Sequence, residues 1–200
     1  MSEEKVVNCA KFPGDYEKAC NSVKEIFRYL GEDPEREGLK DSPHRIVRSW
    51  DRLFGGYCQK PEDVLTFFYS KKDIPSEQIV LLKDIDIYST CEHHFLPFTG
   101  KAHVAYIPTD RIVGISKLAR LVDVFARRLQ IQERLGNQVV DVIMDHLHAK
   151  AAACIIESRH LCMACRGVEQ HESIMTTSAL RGVFLTDHRS RMELLTLIKK

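Results

Sequence analysis

Ile79-Val80-Leu81-Leu82, Ile85-Asp86-Ile87-Tyr88 and Ala102-His103-Val104-Ala105-Tyr106-Ile107 are three runs rich in β-branched and aromatic residues with partial alternation. That composition predicts strands. Immediately downstream the period changes. Ser116 to Leu129 carries Leu118, Leu121, Val122, Phe125 and Leu129 at helical spacing, and Gln132 to Ala149 carries Leu135, Val139, Val142, Ile143 and Leu147. Ala151 to Glu157 and Met175 to Leu185 again read as strands, and a short helix from Arg189 to Ile198 closes the chain. Upstream lie two more helical patterns. Tyr16 to Leu30 aligns Ala19, Val23, Ile26, Phe27 and Leu30 on one face before Gly31 and Pro34 stop it. Ser42-Pro43 then supplies an N-cap and an N1 proline for a helix bearing Ile46, Trp50, Leu53 and Phe54, ended by Gly55-Gly56. These two are expected to be antiparallel cover helices. Helices, then strands, then two helices, then strands favour an α+β fold: an antiparallel sheet with helices on one face. Open sheet edges are an aggregation liability, so copies are expected to join through them.

Composition narrows the class. The chain has 200 residues, 44% of apolar type and 28% charged, enough for a sizeable core and against disorder. Lys plus Arg is 29 against 28 for Asp plus Glu, a net charge of +1, which argues against a general polyanion or nucleic-acid binder. No run approaches the roughly 18 apolar residues of a membrane span. The start, Met-Ser-Glu-Glu-Lys, lacks the features of a secretory signal. The expectation is a cytoplasmic protein without a membrane partner. Its seven cysteines are read as thiols, ligands or core residues, not a disulfide framework.

Three constellations carry chemistry. In Ser89-Thr90-Cys91-Glu92-His93-His94, Cys91 and His94 stand three apart in a predicted turn, and His160-Leu161-Cys162-Met163-Ala164-Cys165 offers further donors. A lone Cys is ordinarily a small core residue and a lone His a satisfied surface group. Two clusters at strand ends instead suit zinc, which binds sulfur and nitrogen at roughly 2.3 and 2.0 Å. Cys91, His94, Cys162 and Cys165 could form a closed structural site, or Cys91, His94 and Cys162 an open one with room for water. Spacing does not choose between them. His93 and His160 tip the balance toward the open site, because extra imidazoles are superfluous for structure and useful for moving protons near neutral pH. The second constellation is basic: Ser116, Lys117 and Arg120 share the start of a helix, a favourable setting for phosphate oxygens. Arg166 and Arg45 add cations, although most such residues are solvated surface charge. The third is Gln132-Glu133 at a helix start. Glu133 is ordinarily a capping charge there, but a carboxylate also matches the paired N–H donors on the N1 and N2 edge of guanine.

Ser-Thr-Cys-Glu-His-His-Phe (89–95), Gly-Ile-Ser-Lys-Leu-Ala-Arg (114–120), Gln-Glu-Arg-Leu (132–135) and His-Leu-Cys-Met-Ala-Cys-Arg-Gly (160–167) resemble GTP cyclohydrolase I. Ser-Pro-His-Arg-Ile (42–46) and Thr-Ser-Ala-Leu-Arg-Gly-Val-Phe (177–184) match in the same order, so the likeness spans about residues 15 to 199. It implies the tunnelling fold, with an N-terminal helical extension over 1–60 and a catalytic domain over 61–200. It also implies a homodecamer of two stacked pentameric rings, with active sites between subunits. The implied reaction turns GTP and water into 7,8-dihydroneopterin triphosphate and formate, the first step toward tetrahydrofolate or tetrahydrobiopterin. Carried over, Cys91, His94 and Cys162 look like the zinc ligands, and zinc lowers the pKa of bound water to about 7. His93 and His160 look like the proton-transfer groups, His93 chiefly at guanine N7. Glu133 looks like the guanine anchor, assisted by Gln132. Lys117, Arg120 and Arg166 look like triphosphate ligands, with Arg45 reaching in from a neighbouring subunit and Ser116 on the ribose or phosphate. Cys165 departs from the family pattern; as a fourth thiolate it would close the site, which hydrolysis disfavours. The first fourteen residues fall outside the likeness and are expected to be flexible. Two rivals compete: a nitrile reductase of the same fold, which needs a nucleophilic cysteine and no zinc, and a structural zinc module that turns over no GTP.

Overall fold

The computed structural model describes residues 12–69 and 78–199. The expectation for the first fourteen residues therefore lies mostly outside the described ones. In chain order, α1 (Tyr16–Tyr29) and α2 (Ser42–Leu53) come first, then a 3-10 turn at Gly55–Cys58, α3 (Pro61–Val64) and β1 (Phe67–Tyr69). Next are β2 (Val80–Cys91), β3 (Pro97–Ile107), β4 (Arg111–Val113), α4 (Ile115–Ala126), β5 (Leu129–Gln130) and α5 (Gln132–Leu147). β6 (Ala151–His160), α6 (Leu161–Ala164), β7 (Met175–Gly182), α7 (Val183–Thr186) and α8 (His188–Lys199) complete the chain. The main sheet has the order β5-β2-β3-β6-β7, and β1 pairs with β4 in a separate ribbon. The pairs β2–β3, β3–β6 and β6–β7 are antiparallel, as expected, while β5 joins the end of β2 in parallel.

The two long helices back one face of this sheet. Leu118, Leu121 and Phe125 of α4 and Leu135, Val139, Ile143 and Leu147 of α5 meet Ile87, Phe98, Val104, Tyr106 and Ile156 from the strands. Each such fully buried side chain contributes roughly 1.5–3 kcal/mol. Cys154 belongs to this core, and burial pushes its thiol up to about 12, so it is a packing residue and not a reactive one. On the other face, alternate residues Ala105, Ile107, Ala151 and Ala153 pack under Phe184 of α7 and Leu194 of α8, so the carboxyl terminus covers that face at one end.

Several boundaries differ from the sequence reading. Apart from Ile79, which precedes it, the runs 79–82 and 85–88 belong to one strand, β2, interrupted by a bulge: Leu82 pairs with Val104 but Ile85 with Ala102. The extra residue shifts the inward phase, which is why alternation across 79–88 looks only partial. Asp84 takes a positive φ of 57° there, and its N–H donates to His103 Nδ1 at 3.2 Å. Leu129, expected to end α4, instead opens β5. α5 stops at Leu147 because His148 turns left-handed at φ 50°, and the last predicted strand ends at Gly182, after which 183–186 is helical.

The N-terminal helices also depart from expectation. Cys20, Val23 and Val47 form a small cluster of their own with Trp50 and Phe27 packed on it. Ile26 and Leu30, predicted to face inward, are exposed. An antiparallel hairpin would set Tyr16 against the last turn of α2. Instead Tyr16 Oη and Cys20 Sγ lie 3.3 and 3.5 Å from Nδ1 of His44, in the first turn of α2. The linker between the helices runs back far enough to bring both first turns together. Asp41, not Ser42, occupies the N-cap position.

Candidate metal centre and active site

Strand register brings the two donor clusters to one end of the sheet. Phe98 pairs with Ser89 on one side and His160 on the other, so the ends of β2, β3 and β6 are aligned. β2 ends on Cys91, where a tight turn follows. Cys91 N–H donates to Leu96 O at 2.8 Å, Phe95 N–H donates to Cys91 O at 2.9 Å, and Phe95 adopts φ 57°. That turn carries His94 back over Cys91, with Nδ1 3.9 Å from Sγ. β6 ends on His160 and passes directly into α6, whose second residue is Cys162. The donor atoms of Cys91, His94 and Cys162 all lie within 4.8 Å of one another.

Two thiols and an imidazole at that separation form a donor set suited to zinc. The thiol of Cys162 is pushed up by burial and then by the neighbouring Cys91 sulfur, while the Arg166 cation opposes the shift. Crowded sulfurs that resist ionising together are stabilised as thiolates by a bound cation. Cys165 is exposed, caps the end of α6 and lies outside the three-donor set.

Both candidate proton carriers adjoin the cluster. His93 is 65% exposed in its side chain, with Nδ1 4.0 Å from Cys91 Sγ and Nε2 3.9 Å from Glu92 Oε1. His160 is held more firmly. Its ring stacks on Phe98 with centroids 4.5 Å apart and planes 8° from parallel, and its Nε2 lies 2.9 Å from Gln132 Oε1. Burial lowers its affinity for a proton below that of an ordinary imidazole, while the nearby Glu133 carboxylate acts in the opposite sense. Gln132 and Glu133 open α5 and point differently. Gln132 is buried, whereas Glu133 is exposed beside a cavity of about 280 Å³ lined by Gly136, Asn137, Thr177, Ser178 and Ala179.

The basic residues do not all converge within one chain. Arg166 follows the cluster closely enough for its charge to act on Cys162. Ser116, Lys117 and Arg120 lie in the first turns of α4, which starts just after β4. β4 lies beyond the Ile107 end of β3, remote from the Pro97 end where the clusters meet, and Val113 N–H donates to Tyr106 Oη at 3.2 Å. α4 then runs 12 residues, about 18 Å, before β5 returns beside Cys91. Arg45 sits on α2, with Asp41 Oδ2 at 3.5 Å.

Two supporting residues went unassigned in the sequence reading. Arg134 ties the turn to α5: its Nε donates to Gln130 Oε1 at 2.9 Å, its Nη2 donates to Leu129 O at 2.9 Å, and the same group pairs with Glu92. Glu92 N–H in turn donates to Gln130 O at 3.0 Å. The Arg134 guanidinium holds the Glu92 carboxyl below the usual range. Its presence in the Gln-Glu-Arg-Leu motif was the available signal. Ser158, which donates to Gln132 Oε1 at 2.6 Å, carried no signal that could be read without the strand register.

This is an α+β protein of the tunnelling fold with a candidate thiolate–imidazole metal centre where its strands end. Residues 19–199 match the family model described as GTP cyclohydrolase I. Similar proteins named GTP cyclohydrolase 1 include one from Wolinella succinogenes, 49% identical over 178 residues, covering 89% of this chain and 94% of that protein. One from Chlorobium phaeovibrioides is 52% identical over 194 residues, covering 95% and 85%, and one from Coxiella burnetii is 51% identical over 180 residues, covering 89% and 96%. The chain belongs to the GTP cyclohydrolase I family. Among the described residues, no helix is long and apolar enough to cross a membrane.

Proposed function

We propose that this chain catalyses the reaction for which its family is named, in the cytoplasm: hydrolytic opening of the guanine imidazole ring of GTP at C8, release of formate, and reclosure to 7,8-dihydroneopterin triphosphate. The observation that carries this reading is the convergence of Cys91, His94 and Cys162, with donor atoms within 4.8 Å, beside His160 and the Glu133 cavity. Those three residues would hold zinc. Bound there, zinc supplies the Lewis acidity that makes water nucleophilic near neutral pH. The open, three-donor set favours this over a closed structural site, since Cys165 lies apart from it.

The chain's own residues divide the remaining work. Glu133 accepts the paired N–H donors of guanine N1 and N2, fixing the base and presenting its C8 edge inward. His93 delivers a proton to N7, which makes C8 more electrophilic. His160 carries protons during ring opening and loss of formate, and the same two imidazoles serve the reclosure. Lys117, Arg120 and Arg166 neutralise the triphosphate, with Ser116 and Arg45 adding contacts to the ribose and phosphate region.

A site so composed is completed by other copies. Ser116 and Lys117 open α4, a helix about 18 Å long whose other end leads to β5 beside Cys91, which supports their serving a neighbour's cluster, with Arg120 on the next turn. Among the described residues β5 pairs with β2 at Thr90 and Cys91, so most of the outer edge of β2 carries no described strand and suits edge-to-edge joining with another copy. This supports the pentameric rings, stacked as a homodecamer, that the family resemblance implies.

The test is direct. Purified protein given GTP should release formate and accumulate a fluorescent dihydroneopterin product, with a chelator abolishing the signal and zinc restoring it. Bound zinc without turnover would reassign the chain as a structural zinc module. Hydride transfer to a nitrile without formate release would instead favour the reductase reading.

A further inference from the structure

The side chain of Gln132 is 1% exposed and engaged at both ends. Its Nε2 donates to two backbone carbonyls, Ile156 O and Met175 O, each at 3.0 Å, and lies 3.1 Å from Thr177 Oγ1. Carbonyl oxygens only accept, so the amide nitrogen must face β6 and β7, and Oε1 must face the other way. On that side Oε1 receives the Ser158 hydroxyl at 2.6 Å and meets His160 Nε2 at 2.9 Å. An amide oxygen also only accepts. His160 Nε2 must therefore carry a hydrogen, which leaves the lone pair of the neutral ring on Nδ1.

The surroundings hold this arrangement. Phe98 stacks on the His160 ring and fixes its plane. Ser158, 2% exposed, lies opposite Gly100 in the β3–β6 register, and a Cβ added at Gly100 would fall 2.7 Å from the Ser158 Cβ. Glycine thus keeps clear the space in which the serine meets Gln132. With both amide ends engaged inside the protein, Gln132 has little left to offer a ligand.

We infer that Gln132 and Ser158 are positioning residues for His160, holding its ring with hydrogen on Nε2 and so leaving Nδ1 as the nitrogen that exchanges protons, and that Gln132 is not a contact for guanine. This rests on His160 being a proton carrier in the reaction proposed above. It departs from the base contact that family resemblance suggests for Gln132.

The experiment compares Gln132→Met and Ser158→Ala with the wild-type, zinc-loaded, full-length protein. Gln132→Met should lower kcat by about tenfold to a hundredfold, with KM for GTP within about twofold and zinc content unchanged. Ser158→Ala, which leaves the bonds to both carbonyls intact, should lower kcat by about threefold to tenfold, again at unchanged KM. A raised KM at preserved kcat in Gln132→Met would make it a guanine contact and overturn the inference, as would unchanged kcat in either variant. Should Gln132→Met fail to fold, Ser158→Ala decides alone, together with ring-nitrogen NMR of histidine-labelled wild-type protein. The His160 signal should report hydrogen on Nε2; hydrogen on Nδ1 would overturn the inference. Because that spectrum needs no turnover, a wild type inert toward GTP would sink the proposed function while leaving the ring geometry separately tested.

Discussion

Replacing Arg134 by leucine asks whether α5 holds the Cys91–His94 turn ready for a metal. The arginine bonds Gln130 Oε1 and Leu129 O of β5, both at 2.9 Å, and reaches the turn itself at Glu92. The Glu92 pair is open to solvent, with side chains 39% and 31% exposed, so it adds little. Each of the other two bonds contributes about 1 kcal/mol net, so their loss loosens by about 2 kcal/mol the β5 segment whose Gln130 O receives the Glu92 N–H of the turn. Zinc binding must then reimpose that order, and at about 1.4 kcal/mol per factor of ten its affinity should fall by about tenfold to thirtyfold. The apoprotein, titrated with zinc against a chromogenic chelator, gives the value. At saturating zinc the KM for GTP should match wild type, since no substrate contact is removed. Unchanged zinc affinity alongside a lowered Tm would refute the reasoning: the β2–β3 hairpin alone would then fix the donors, and Arg134 would be only a structural tie.

Two further substitutions probe other features. Cys165→Ala should keep zinc affinity within about twofold and retain turnover, because Cys165 lies outside the three-donor set; loss of metal from this variant would mean that the site is closed by four ligands. Asp187→Asn addresses the cap of α8. Asp187 Oδ2 accepts Ser190 N–H at 2.7 Å, which holds the carboxyl below its ordinary value of 3.8. A depressed folded-state pKa stabilises above the unfolded value and loses that contribution as pH falls through the lower, folded one. Protection of the α8 amides, taken as exchange relative to the unstructured rate at the same pH, should therefore fall below about pH 3.8 in the wild type and show less of that pH dependence in Asp187→Asn; identical protection profiles would remove the cap from the account.

Local pattern revealed most of the regular structure. α4 and α5 were legible because Leu118, Leu121, Leu135, Val139 and Ile143 recur at the helical period and face one sheet. The strand pair was legible from its β-branched content, but the bulge at Asp84 was not, since an extra residue shows only against the partner strand's register. Leu129 fitted the stripe of α4 and became β5 because pairing with Thr90 outweighed helical continuation. The first-turn meeting of α1 and α2 depends on a linker path that periodicity does not encode.

By itself the sequence determined the helical and strand periods, the residue types able to bind zinc, and the motifs that mark the family, because each of these is written in neighbouring positions. Tertiary structure decided which distant donors meet. It aligned the ends of β2 and β6 across β3, committed Gln132 to carbonyls of β6 and β7, and put the start of α4 at the far end of a helix about 18 Å long from the strand that adjoins Cys91. Hydrogen-bond partners and register are properties of pairs of segments, and a pair exists only once the chain has folded.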